Sequence, residues 1–542
     1  MVDAVVIGAG VNGLVAANML ADAGWSVAVV DAADEPGGAC RSGEYAHPGF
    51  TSDLASSFYP VGMASPVLAA LKLEQHGLVW THSPAVLAHP VRDAPAAVLH
   101  RDLDLTAAGL DADAPGDGAA WRGLAHQWDR LRDPVLGSLF SSFPPVRSGL
   151  LLARRTGVAD LLRLARFATL PARKFVEEEF SGTAAGLLFA GNAMHTDVGP
   201  DVAGSAIFGW MLTMLGQDVG YPVAKGGAGQ LSGALVSRAH ARGAVITTGA
   251  KVQRIIVRNG RAVGVVLEDR TEIPADQAVV ADVDAPQLYG ELIPRSDLPA
   301  RLLDDLRRFE WDSSTVKVDW ALSGPIPWTD PSCAPAGTVH LGGDMDEIRR
   351  TAAELQRGVV PADPFVLVGQ MTTSDPSRSP AGTEAAWGYL HVPQKPRGDA
   401  GATTPADAVT GRWDAAEVDR MVERMEARLE SFAPGFRDRI VGRFVQSPLG
   451  LQDGNMSLHR GALNGGTAAL HQQLVFRPIP GLGRAETPVR GLFLASMAAH
   501  PGGGVHGGPG ATAARAALKA SGLLGPIRTA GWQALLRAIY GS

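Results

Sequence analysis

Ala4-Val5-Val6-Ile7 is an unbroken apolar run of strand length, the pattern of a strand buried on both faces. It leads directly into Gly8-Ala9-Gly10-Val11-Asn12-Gly13, after which Leu14, Ala17, Leu20 and Ala21 give a helix one apolar face until Gly24 stops it. Ser26 to Val30 then predicts a second strand that ends at Asp31. In mid-chain, Leu231, Leu235 and Ala239 predict a helix stopped by Gly243. Two strands follow, 250–257 and 262–267, joined at Asn259-Gly260, a dipeptide suited to a tight hairpin because both turn residues need positive φ. A β-meander is expected here, and Gln277 to Ala281 should be another buried strand, with Asp282 at its carboxyl end. Near the C-terminus, the run Leu492-Phe493-Leu494-Ala495 enters a glycine-rich loop and then a helix at 512–518.

The first of these units carries its chemistry in its spacing. Gly8 allows the tight turn, Gly10 lets the backbone approach a pyrophosphate, and Gly13 lets the helix pack closely on the strand. The helix N-terminus then faces the phosphates with free N–H groups and the positive end of its dipole. Asp31 lies 18 residues beyond Gly13, near the roughly 20 expected of a carboxylate that binds a ribose hydroxyl. A dinucleotide site is expected.

Composition narrows the class. The 542 residues are 46% hydrophobic, which suggests two to four compact units at roughly 150 residues each and argues against disorder. With 48 Lys+Arg against 55 Asp+Glu the net charge is -7, and without a basic block no nucleic-acid partner is expected. No apolar run reaches the roughly 18 residues of a membrane span, and the N-terminus reads as a strand, so a cytoplasmic protein is expected. Cys40 and Cys333 stand in neither a Cys-x-x-Cys pair nor a metal-ligand spacing, so dithiol chemistry and a metal site are not expected.

Glu35-Pro36-Gly37-Gly38-Ala39-Cys40-Arg41, just after the second strand, resembles the GG-x-x-R element of glutathione-reductase-like FAD enzymes, especially the flavin amine oxidases and phytoene desaturases. The resemblance implies FAD as cofactor, with Gly37 and Gly38 passing beside it and Arg41 against it. The order from Tyr221 through Gly226-Gly227, helix, Val252 and the meander to Ala281-Asp282 is similar to the second cofactor block of phytoene-desaturase-like proteins, which implies that the Val252 backbone meets the adenine. His500-Pro501-Gly502-Gly503-Gly504-Val505-His506 is similar to the C-terminal signature of phytoene dehydrogenase-related flavoproteins. Its glycines, with Gly503, Gly504 and Val505 as the expected contacts, leave no side chains between backbone N–H groups and a flat ligand, which suits the pyrimidine edge of a flavin. Patterns such as Ser314 to Val318, Asp375-Pro376-Ser377-Arg378 and Gly454 to His459 extend the resemblance over most of the chain. It is nearer to the branch called pyridine-nucleotide-disulfide oxidoreductase-domain proteins than to the carotenoid desaturases.

The expected fold is α/β: a discontinuous Rossmann-like, glutathione-reductase-like FAD-binding domain at 1–62, 221–290 and 478–522. An α+β substrate domain is inserted at 63–220 and 291–477, and an amphipathic tail occupies 523–542. The expected activity is that of an FAD-dependent dehydrogenase or desaturase of a hydrophobic, isoprenoid- or lipid-like molecule. An amine oxidase-like flavoenzyme, a flavin-dependent double-bond isomerase and a silent flavoprotein acting through partners are the alternatives. Lys317 is the first catalytic candidate: relatives hold a water near flavin N5 with a lysine on a comparable strand, and an unpaired charge between Val316 and Val318 would be unusual, the bland alternative being an edge strand facing water. His500 and His506 are candidates for proton transfer near neutral pH, and His459 is a weaker one. With no second GxGxxG unit, oxygen or a quinone is the expected electron acceptor. The basic, leucine-rich stretch 150–180 is expected to be a core helix with a solvated face, with membrane-surface contact as the alternative. The tail offers three partners: its own protein, a second copy in a homo-oligomer, or a bilayer.

Overall fold

The computed structural model describes residues 1–541. The strand β1 (Val2–Ile7), the helix α1 (Val11–Asp22) and the strand β2 (Val27–Val30) form in the predicted order. β1 lies inside a seven-stranded sheet, parallel to β2 on one side and to the strand Glu272–Ala281 on the other. Val245–Thr247 extends the sheet beyond β2, and Leu492–Leu494 pairs in parallel with residues 279–281.

The long strand Glu272–Ala281 serves two structures. Its carboxyl half belongs to the parallel sheet, while residues 272–274 pair antiparallel with Arg261–Leu267, which pairs in turn with Val252–Arg258. This is the expected meander, and its hairpin turns at Asn259 (φ 52°) and Gly260 (φ 68°). Leu14, Ala17, Leu20 and Ala21 are buried, and α1 packs against the helix Gly508–Ser521. That approach is backbone to backbone: a Cβ on Gly510 would lie 2.0 Å from the Asn12 carbonyl oxygen. The distant ends of the chain are thereby locked at one place.

A second seven-stranded sheet runs in the order 440–446, 314–322, 384–392, 366–370, 336–341, 85–91, 94–99. It takes two strands from the interval 63–220 and five from the interval 291–477. Along Ser314–Leu322, Val316, Val318, Trp320 and Leu322 pack with Met421, Met425 and Leu429 of the helix Ala415–Phe432. The opposite side carries Thr315, Lys317 and Asp319, all buried. The edge-strand expectation for Lys317 is therefore corrected: its strand is paired on both sides, with 384–392 and 440–446, and the residue is 3% exposed.

Two further expectations meet different outcomes. The stretch 150–180 divides between two helices: Val146–Phe167, broken at Gly157 (φ 73°), buries none of its described side chains and leaves Val146, Leu150, Leu151, Leu161 and Leu162 exposed, whereas Ala172–Glu179 buries Ala172, Phe175 and Val176 and is the expected core helix with a solvated face. Phe167, at the end of the first of these, packs half-buried against the core. The tail, in contrast, folds back as the helix Gly525–Tyr540. Leu536 and Tyr540 enter the core beneath the meander, the Tyr540 hydroxyl donates to the Pro480 carbonyl, and Arg484 lies over Trp532. No helix among the described residues is long and apolar enough to cross a membrane.

Candidate cofactor and active site

A long cleft opens where the carboxyl ends of β1, β2 and Glu272–Ala281 meet, the place at which doubly wound sheets bind ligands. Gly8, Gly10, Asp31, Gly37, Gly38, Arg41, Val252, Asp282, Gly504 and Val505 line it together. Gly8 (φ +95°) receives its form from sterics: a Cβ there would stand 2.7 Å from the Asp282 carbonyl oxygen. Gly10 caps α1 without a side-chain hydrogen bond, leaving the helix start open to the cleft, and the Gly37 N–H donates to the Ala9 carbonyl at 2.8 Å. Gly13 lies behind the wall, its absent Cβ allowing Gly8 O to approach to 2.1 Å of that position.

Two carboxylates frame this opening. Asp31 accepts the N–H groups of Ala9 (2.5 Å) and Ala33 (2.8 Å), which fixes it at the end of β2. Asp282 accepts the Gly13 N–H at 2.8 Å, and burial pushes its carboxyl up to about 7, with Asp31 adding to the rise. It is therefore largely protonated below neutrality, the form compatible with a neighbouring pyrophosphate. Asn12 Oδ1 is buried at the cleft without a partner. Glycine walls, an open helix start and an orphaned acceptor fit an FAD lying along the cleft.

The wall opposite the glycines comes from the inserted domain. Arg41 donates to the carbonyls of Gly38 and Gly454, tying the paired glycines to the segment 453–458, whose residues line the cleft. The pattern Gly454 to His459 was visible in the sequence, but nothing local indicated that it would cross to the other domain. Ser496 and Met497 complete the far end beside Gly504 and Val505. Gly503 lines the back of this loop against Asn464, whose Oδ1 would stand 2.6 Å from a Cβ on it.

The three catalytic candidates lie outside the cleft lining. Lys317 Nζ donates to the Asp53 carbonyl at 2.9 Å and pairs with Asp319, so it is not the unpaired charge expected. Asp53 in turn forms a two-point ion pair with the fully buried Arg378, both contacts at 3.0 Å, and Arg378 reaches Asp375 at 3.2 Å. Asp375 accepts the Gly226 N–H and Asp53 that of Ala228, so this charged cluster, missed in the sequence, clamps the inserted sheet to the FAD domain. His506 accepts the Gly508 N–H through Nδ1 (3.0 Å) and faces Gly503 O through Nε2 (3.3 Å), holding its own loop. His500 packs edge-on to Phe143. Burial pushes both histidines down to about 4, so the expected proton transfer at neutral pH has no support in their positions.

A doubly wound sheet with a glycine-lined dinucleotide cleft, capped by a second sheet, defines a flavoprotein of the two-domain oxidoreductase class. Residues 12–358 match the family of flavin containing amine oxidoreductases, and the chain belongs to that family. It is an FAD-dependent oxidoreductase. It is 27% identical to pyridine nucleotide-disulfide oxidoreductase domain-containing protein 2 of Rattus norvegicus, over 94% of this chain and 92% of that protein. A limonene dehydrogenase polypeptide of Castellaniella defragrans is 24% identical, over 96% and 95% respectively. Among solved structures, putrescine oxidase bound to putrescine shares the fold with a TM-score of 0.60 at 17% identity, covering 96% of this chain and 98% of that one.

Proposed function

We propose that the chain oxidises a C–H bond of a hydrophobic, isoprenoid- or lipid-like molecule. The far end of the cleft is in keeping with this reading: Ser496, Met497, Gly504 and Val505 present no ionisable group, and His500 and His506, pushed down to about 4 by burial, are neutral at pH 7. Near-full-length similarity to the limonene dehydrogenase polypeptide and to phytoene desaturases supports the same substrate class. Bound FAD supplies hydride acceptance at N5. The chain's own residues do the rest: the glycines of the first two blocks and Val252 hold the nucleotide half, Arg41 fixes the 453–458 wall, and the glycine-rich loop offers backbone N–H groups to the ring's pyrimidine edge.

Anaerobic addition of isoprenoid or fatty acyl compounds to the yellow protein, followed by absorbance and product mass, tests the reading. Bleaching with loss of two hydrogens from the product supports it. Bleaching by primary amines alone would favour the amine oxidase alternative, and isomerised product without net bleaching would favour a double-bond isomerase. Oxygen or a quinone is the proposed acceptor; faster reoxidation by NAD(P)+ in stopped flow would count against it.

Substrates of this kind reside in bilayers, and an apolar, basic surface offers contact with one. Leu523 is fully exposed, with Leu524, Ile527, Val146 and Leu150 also at the surface, and Arg147, Arg154 and Arg528 are exposed on the same segments. Phe143 and Pro144 share a groove with Lys519 and Arg528, which brings the helix start beside this corner. Side chains that insert and cations that meet anionic headgroups are the two halves of peripheral binding. Co-sedimentation with phosphatidylglycerol vesicles, lost in Leu523→Ser/Ile527→Ser, tests it. A concentration-dependent dimer that the same changes dissolve, without vesicle binding, would assign the surface to a second copy instead.

A further inference from the structure

Arg477 is 2% exposed and has no carboxylate within ion-pair distance among the described residues. Its guanidinium is held by carbonyl oxygens alone: Thr467 at 3.2 Å, Asn464 at 2.6 Å, Gly465 at 3.4 Å and Met497 at 2.9 Å. Nε is buried without a partner. A Cβ on Gly502 would lie 3.2 Å from both Cζ and Nε, so the cation rests directly under the glycine-rich loop, one carbonyl removed from Met497 in the cleft wall. Asp312 and Asp197 act on it through space and favour its charged form, but neither reaches ion-pair distance, because each is taken up by other donors. Asp312 accepts the N–H groups of Leu463, Asn464 and Gly466, and Asp197 accepts Thr467 Oγ1 and the Ala468 N–H. With only neutral carbonyls as its direct partners, the guanidinium keeps its positive charge at this spot. Desolvation draws its basicity down to about 10, which still leaves it cationic at neutral pH.

We propose that Arg477 is a charge held behind the flavin, stabilising the negative charge that two-electron reduction leaves on the pyrimidine side of the ring. The inference rests on the reading that sets that side against the Met497 to Val505 wall. Hydride transfer brings two electrons and one proton to N5, so one negative charge remains near N1 and the C2 carbonyl, and a cation fixed in advance lowers its energy without reorganising. The start of the helix Gly508–Ser521 adds its dipole on the same loop. Arg477 touches neither cofactor nor substrate and acts through the field it projects across that wall.

Sulfite reports this charge without any substrate. Its lone pair forms a bond to N5 of oxidised FAD, and the ring takes up the electron pair as negative charge. In the holoenzyme, Arg477→Met should raise the sulfite dissociation constant at least tenfold and lower the midpoint potential by about 30 mV or more, the two-electron equivalent of tenfold. Arg477→Lys, which keeps the charge within the same carbonyl cage, should stay within threefold. Both variants moving equally, or a yellow Arg477→Met with unchanged affinity, would show a role confined to holding the 464–467 turn and would overturn the inference. If Arg477→Met does not fold, the wild type decides. Reduced FAD must bind at least tenfold more tightly than oxidised FAD, and equal affinities sink the proposal. Wild-type protein that takes up no FAD would instead remove the cofactor placement beneath it.

Discussion

The Asp282 carboxylate accepts the Gly13 N–H at 2.8 Å across 269 residues of chain, so the first helix turn of the dinucleotide motif is completed by a side chain from mid-sequence. Burial holds this carboxyl near 7, far above an ordinary aspartate. Below about 7 it is protonated and would meet the pyrophosphate of FAD without repulsion; above, it would be an anion beside an anion, with Asp31 nearby. FAD affinity should therefore fall from pH 6 to pH 8.5, by up to about tenfold per pH unit above 7. Asp282→Asn should flatten the profile. A wild-type dissociation constant independent of pH would contradict this account.

The same shift bears on stability without cofactor. Because the folded pKa is raised above the unfolded value of about 3.9, the contribution of Asp282 is complete below about 4 and is lost as pH rises through 7. Melting temperatures of the apoprotein at pH 5.5 and 8 should show the decline, and a smaller one in Asp282→Asn.

Two glycines of one motif should fail differently. Gly10→Leu sets a Cβ 2.8 Å from the Asp282 carboxylate at the cleft wall, which can give way only by shifting into the cleft, and should abolish retention of FAD while the fold persists. Gly13→Ala forces a Cβ to 2.1 Å from Gly8 O, an overpacking that costs about 1–3 kcal/mol or more, so its melting temperature should drop before flavin is considered. Visible absorbance and thermal melting separate the two.

Breaking the interdomain clamp should be costly. Arg378→Met leaves Asp53 and Asp375 buried without their cation, a loss of about 3–5 kcal/mol that a lowered melting temperature would report. A change within one degree would show that the pair carries little of the domain junction.

Lys317 can be tested for chemistry apart from packing. Lys317→Met strands the buried Asp319, whereas Lys317→Met/Asp319→Leu removes both charges and should recover much of the lost stability. If the folded double variant still bleaches with substrate at the wild-type rate, Lys317 is structural. A large fall in that rate with FAD retained would restore its catalytic candidacy.

What the sequence determined by itself is local in origin. The βαβ unit, the meander and the Asn259-Gly260 turn follow from side-chain periodicity and from positive φ, which act over a few residues, and the glycines that line the cleft were legible for the same reason. Tertiary structure alone decided the rest. The pairing of Lys317 with Asp319, the crossing of 453–458 to face Gly38, the burial of His500 and His506 and the carbonyl cage around Arg477 all depend on which segments share a desolvated space. Burial and electrostatics are set by neighbours hundreds of residues away. A short window of sequence records that a charge exists, but not what faces it once water has left.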